Sequence, residues 1–179
     1  MNENKQGSSV LQPLLIFVGA ILLIVYLVGA LNSGNWLWLL PIQPDYEPAR
    51  ILIRDNGQTT EYRPGVDGFI ELAAALDLAF SDFSNLDLIP IGLSDETLQD
   101  YNESSLVMEI FYPQDIRFNT IVRMRNVNQL LIPIEGRHAG NRYVFLGADG
   151  RWLTGAFVMA NDQPIRDTLS ALGYAPQEP

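Results

Sequence analysis

Cysteine is absent from all 179 residues, histidine occurs once, at His138, and lysine once, at Lys5. The first absence removes disulfides, thiol catalysis, cysteine-ligated metals and cysteine-linked lipid anchors. A single histidine without cysteine makes no zinc site. Also missing are a Gly-x-Ser-x-Gly elbow, a phosphate-binding glycine loop and a His-Glu-x-x-His helix, so no familiar catalytic constellation is present. The residues alone identify no catalytic residue, no cofactor and no metal ligand.

Charge is missing too, from Gln6 to Pro44. Within that window Leu11 to Leu31 is apolar except for Gln12, Pro13 and Tyr26. At about 1.5 Å per helical residue the run reaches the ~30 Å of a bilayer's hydrocarbon core, so a transmembrane helix over 11–31 is expected, with the lipid bilayer as its partner. Pro13 falls in the first turn, where its missing N–H is harmless. Asn32, Ser33, Gly34 and Asn35 end the helix. Trp36 and Trp38 follow as candidate interaction residues, since indole rings favour the membrane interface. Packing of Trp36 to Leu40 on the folded domain is the alternative.

Lys5 and the α-amine against Glu3 form the N-terminal flank, and Asp45 and Glu47 open the other, a bias that puts the N-terminus inside. The expected localisation is a single-pass membrane protein with its C-terminal domain extracytoplasmic. Val28-Gly29-Ala30 would suit signal peptidase, but the apolar run exceeds a usual signal core and the basic flank is weak. A retained signal-anchor is therefore expected, and either processing exports the same domain.

Positive charge is scarce overall: 11 Lys and Arg face 21 Asp and Glu, a net charge of −10. Binding to nucleic acid, which draws on a concentrated basic surface, is disfavoured. Every charged side chain from Pro64 to Asp115 is acidic, whereas seven arginines from Arg117 to Arg166 face only Glu135, Asp149 and Asp162. Such segregation either neutralises across the fold or displays two faces of opposite sign.

The expected organisation is a cytoplasmic N-terminus (1–10), the membrane helix (11–31), an interfacial segment and proline-rich tether (32–48), an α+β domain (49–174) and a flexible tail (175–179). The tether Pro41 to Pro48, extended at about 3 Å per residue, holds the domain within ~25 Å of the bilayer. A hairpin is expected at Arg50 to Tyr62 around Asp55-Asn56-Gly57. A helix follows from Gly68 to Phe80, N-capped by Asp67. Asn85 to Leu93 is an edge strand at most, because Pro90 interrupts it. Ser94 caps a short acidic helix to Tyr101. Strands are expected at Leu106–Tyr112, Arg117–Met124, Leu130–Glu135, Arg142–Leu146 and Arg151–Met159, and a last helix from Pro164 to Leu172 ends at Gly173. Strand, Asp-(Asn)-Gly turn, strand, loop and helix at 51–76 recur at 143–172. Two ββα units flanking one antiparallel sheet would produce this echo, as would common turn chemistry alone. The fold class is α+β: one membrane helix and one domain with a mainly antiparallel sheet and two or three helices.

Arg137, His138 and Arg142 form the second candidate interaction site, in a polar loop between two expected strands. A histidine between arginines suits an anion or, oriented by Glu135, acid-base work, but an exposed hairpin loop has the same composition. Asp82, Ser84, Asn85 and Asp87 offer oxygen ligands without the glycine and bidentate glutamate of a calcium loop, so a solvated acidic turn is expected. Asn102-Glu103-Ser104 is a formal glycosylation acceptor without supporting context. The expected function is a membrane-anchored binding domain, an accessory or assembly subunit with a protein partner in the membrane. An anchored envelope hydrolase using carboxylates and His138, or a small-ligand sensor domain, are the alternatives.

Overall fold

The computed structural model describes residues 11–34, 36–39, 46–81, 88–118 and 126–176. Helix α1, Leu11–Ser33, is apolar on all sides, nearly all exposed, and long enough to cross a membrane. It runs two residues beyond Leu31, and the Ser33 hydroxyl bonds back to the Gly29 carbonyl at 2.8 Å. Gly34, at φ +69°, then reverses the chain.

Beyond α1 stands a six-stranded antiparallel sheet in the order β2-β1-β3-β4-β5-β6, with three further helices. β1 (Arg50–Asp55) and β2 (Gln58–Tyr62) meet at Asn56-Gly57, both at positive φ, the turn whose twist matches paired strands. β5 (Tyr143–Ala148) and β6 (Arg151–Val158) meet in the same way at Asp149-Gly150. Each hairpin is followed by a helix, α2 (Phe69–Phe80) and α4 (Gln163–Ala171), and the two helices pack together. The ββα echo is thus spatial: one unit forms each flank of the sheet, its first strand inside and its second at the edge. β3 (Val107–Phe111) and β4 (Gln129–Pro133) lie between them.

Alternation sorts the faces. Toward α2 and α4 the register aligns Tyr62, Ile51, Ile110, Leu130 and Leu146 in one row across five strands. Leu72, Leu76, Ile165 and Leu169 close over it. On the opposite face α3 (Asp95–Glu103) and Ile91 with Leu93 cover a smaller cluster of Tyr101, Val107, Leu131, Phe145 and Ala156. Pro90 limits the preceding segment to a bridge: Ile89 exchanges hydrogen bonds with Ala156 at 2.9 and 3.1 Å, and Gly155 N–H reaches Ile91 O at 2.8 Å.

Caps follow their chemistry with one correction. Ser94 accepts from Thr97 N–H at 3.2 Å, as its position implies. α4 ends in a Schellman arrangement, with Gly173 at φ +93° and N–H groups of Gly173 and Tyr174 closing on Ser170 O and Leu169 O. Asp67, expected to cap α2, does not. Gly68 holds the cap position at φ +89° with no side-chain bond, because Tyr62 and Leu172 press so close that a Cβ would lie 3.1 and 2.8 Å from them. The residues entering β1 are held to the fold: Pro48 is buried, Ala49 N–H donates to Phe111 O at 2.8 Å, and the Tyr46 hydroxyl accepts from Arg117 N–H at 3.1 Å. Of the expected strand 117–124, Arg117 and Phe118 are irregular and the rest lies outside the described residues, as do 40–45, 82–87 and 177–179.

Gly68→Ala should cost about 1–3 kcal/mol in denaturant unfolding of the folded region, through its left-handed φ and the Leu172 contact. Asp67→Ala should cost under about 0.5 kcal/mol. Equal costs would return the cap to Asp67.

Candidate functional site

The sheet face shared by α3 is covered unequally. One row across it, following the register, reads Glu61, Leu52, Glu109, Leu131, Phe145, Ala156: charged at the β2 side, apolar at the β6 side. The row nearer the hairpin turn of β5 and β6 reads Arg50, Phe111, Gln129, Gly147, Trp152 across β1, β3, β4, β5 and β6. That second row is an arginine-aromatic-amide stripe, and two open clefts of about 530 and 280 Å³ meet along it at Phe111, Gln129 and Gly150.

Local packing fixes the stripe. The Arg50 guanidinium carbon lies 4.1 Å from the centroid of the Phe111 ring, a cation–π contact. Trp152 lies on Gly147, where a Cβ would come within 2.9 Å of the indole, so glycine is the residue that lets this ring lie flat at the β-bulge. Arg54 Nε donates to Glu109 Oε1 at 3.0 Å, and the Glu109 side chain is only 8% exposed. A buried carboxylate of this kind needs its partner, since removing the arginine would strand the charge. Asn128 and Asp149 bond reciprocally at 2.9 and 3.1 Å and steady the turn at the cleft rim. Among the described residues no buried side-chain nitrogen or oxygen lacks a hydrogen-bond partner. The stripe therefore offers guanidinium charge and aromatic surface around the buried Gln129, without a poised nucleophile, which is the chemistry of recognition.

The loop holding Arg137, His138 and Arg142 divides into three roles. Arg137 is exposed and lines a third cleft, of about 360 Å³, with Glu96, Asp100 and Glu103 of α3. Arg142, at φ +56°, turns its guanidinium onto Ala160 O while its own carbonyl accepts from Met159 N–H at 2.9 Å, tying together the open end of the β5–β6 pair. His138 is buried instead of exposed. Its Nδ1 shares a 2.6 Å hydrogen bond with the Tyr101 hydroxyl, and its ring packs against Phe145 and Tyr143. Gly136 admits this docking because a Cβ there would strike Ser105 Oγ at 2.6 Å. The nearby Asp100 carboxylate is occupied by the Ser104 and Ser105 hydroxyls at 2.6 and 3.1 Å. None of the three clefts includes His138.

Burial, reinforced by the Arg137 charge, lowers the pKa of His138, and burial raises that of Tyr101 above the usual phenol range. The pair is held neutral.

Trp36 and Trp38 lie on the turn after α1. The Tyr26 hydroxyl donates to Trp36 O at 2.7 Å, and Trp38 Nε1 donates to Tyr26 O at 3.3 Å. A Cβ on Gly29 would overlap the Trp38 ring at 2.2 Å, so the indole is seated in the glycine notch while Trp36 stays exposed. The candidate residues thus form two groups, one on the membrane-length helix and one beside α3, and the stripe is a third feature. Only cross-strand register reveals it: Arg50, Phe111, Gln129 and Trp152 are scattered over a hundred positions in sequence. The acidic segment 82–87, with its calcium-like oxygens, lies outside the described residues; among the described ones no three Asp, Glu or His gather closely enough to hold a metal. Comparison with protein-family models, curated proteins and solved structures finds no match.

The buried neutral histidine sets a pH dependence. The unfolded chain takes up the His138 proton as pH falls below about 6.5, while the folded chain resists until a lower pH. Unfolding free energy should therefore decline from pH 6.5 toward 5, and His138→Gln should flatten that decline when both are followed by denaturant titration. An unchanged slope would show that the imidazole is not buried in its neutral form.

Proposed function

We propose that this chain is a single-span membrane protein, N-terminus inside, whose extracytoplasmic α+β domain works by binding as an accessory or assembly subunit of a membrane complex. The observation that carries the reading is the stripe from Arg50 to Trp152, a partly open line of cationic and aromatic groups on the sheet face that α3 covers only in part. Aromatic and arginine side chains with restrained conformations are favoured anchors for a protein partner, because little rotamer entropy is left to lose. A 23-residue apolar helix supports the membrane setting, and the sparse charge at its flanks supports the orientation.

Two further contact regions belong to the proposal. Trp36 with the neighbouring exposed Leu37 and Leu39 faces the bilayer interface or a partner's helix. Arg137 offers an exposed cation on the loop, with Arg142 at the loop's other end. His138 enters as the buried support that holds this loop against α3. The enclosed imidazole and the occupied Asp100 favour this reading over an anchored hydrolase.

The test is mass spectrometry of what co-purifies when the full-length protein is extracted from its native membrane in mild detergent. A stoichiometric partner and an intact N-terminus are expected, and an isolated protein would overturn the proposal. Trp152→Ala should reduce recovery of that partner about tenfold or more. Arg137→Glu with Arg142→Glu should weaken it as well, and undiminished association would remove the loop from the contact surface.

A further inference from the structure

Val28-Gly29-Ala30 has the small residues that signal peptidase accepts before a cut, which here would fall between Ala30 and Leu31. It stands at the end of an apolar helix near the N-terminus, where such a cut releases an exported domain. The same tripeptide occurs at Val18-Gly19-Ala20, about 15 Å back along α1 and so deep within a hydrocarbon core. Only the later copy is within a peptidase's reach.

That copy is covered. From Leu11 to Leu31 every residue is exposed except Tyr26, Gly29 and Ala30. With the buried Ser33 these fall at i, i+3, i+4 and i+7, on one face of the helix. The Trp38 indole lies on Gly29, and Ala30 is only 2% exposed. At Gly19, by contrast, a Cβ would meet nothing within 4 Å. Two ties hold the returning chain: Trp38 Nε1 donates to Tyr26 O, and the Tyr26 hydroxyl donates to Trp36 O.

We propose that the return of the chain through Trp36 and Trp38 is a cover over a signal peptidase site, and that it keeps α1 joined to the folded region as a permanent anchor. The proposal rests on the single-span, N-terminus-inside reading, which places Ala30 at the outer surface, and it needs no protein partner. A peptidase takes the residues before its cut in extended form, so the last turn of α1 must open first. Helix ends open at little cost when their final carbonyls lack partners. Here the Ser33 hydroxyl holds Gly29 O at 2.8 Å and the indole closes over the same residue, so opening also requires lifting Trp38. The cover is local, since Tyr26 and Trp38 are 12 residues apart. A loop of about that length closes in roughly 10–100 ns, whereas synthesis adds only about 5–20 residues per second. The site is therefore shut before the sheet has been made.

The test uses purified bacterial signal peptidase on the full-length protein in detergent micelles. Wild type should stay intact, and Trp38→Ala should be cut at least about tenfold faster, with Leu31 as the new N-terminus by mass spectrometry. Adding Ala30→Leu, which removes the small residue before the cut, should restore resistance and so separate cleavage at this site from general unfolding. Expressed in a bacterial host, Trp38→Ala should lose residues 1–30. Cutting in micelles but not in the host would uphold the cover and overturn the N-terminus-inside reading. Equal cutting of wild type and Trp38→Ala, resistance of both, or cutting that survives Ala30→Leu would overturn the cover.

Discussion

Register in the antiparallel sheet is the constraint on which the rest depends. With a side-chain period of two, the pairing of Ile51 with Ile110 and of Ile110 with Leu130 commits every neighbour to a face. One row becomes the floor beneath α2 and α4. The intervening row is delivered to the other side, where α3 is too short to cover it all. A slip of one residue would bury Arg54 and Glu109 beneath the helices and expose the core, so the same alignment that stabilises the fold also builds the stripe. The core and the make-up of the stripe are therefore two outcomes of a single geometric choice.

What was legible in the sequence was local. Asn56-Gly57 and Asp149-Gly150 announce their turns because left-handed backbone is required there, and Ser94 announces a helix because its hydroxyl can satisfy an N–H three residues on. The α+β class and the paired ββα units follow from those signals and the alternation between them. Three features were not legible, each for a stated physical reason. Asp67 has the right chemistry for a cap, but the approach of Leu172, over a hundred residues away, leaves room only for glycine at position 68. His138 sits in a polar stretch, and its burial depends on Tyr101 from a different element. The stripe combines residues that no sequence window contains.

The unequal cover of the second face also explains why the charge segregation along the chain is not simply reproduced in space. Glu109, from the acidic stretch, is answered by Arg54 of the first hairpin, and Arg166 closes on Asp162 one helical turn away. The sheet brings a carboxylate of the acidic run against an arginine that precedes it, while Arg137 stands beside Glu96 and Glu103 across an open cleft.

The return of the chain along α1 changes how the tether should be measured. Trp38 is fastened to Tyr26, seven residues before the helix ends at Ser33, about 10 Å back along the axis. The leash thus begins beside the last two turns of the helix and not at its tip. From Leu39 to Tyr46 the chain has seven steps, a reach of at most about 25 Å. The folded region therefore begins within that reach of the last two turns of α1.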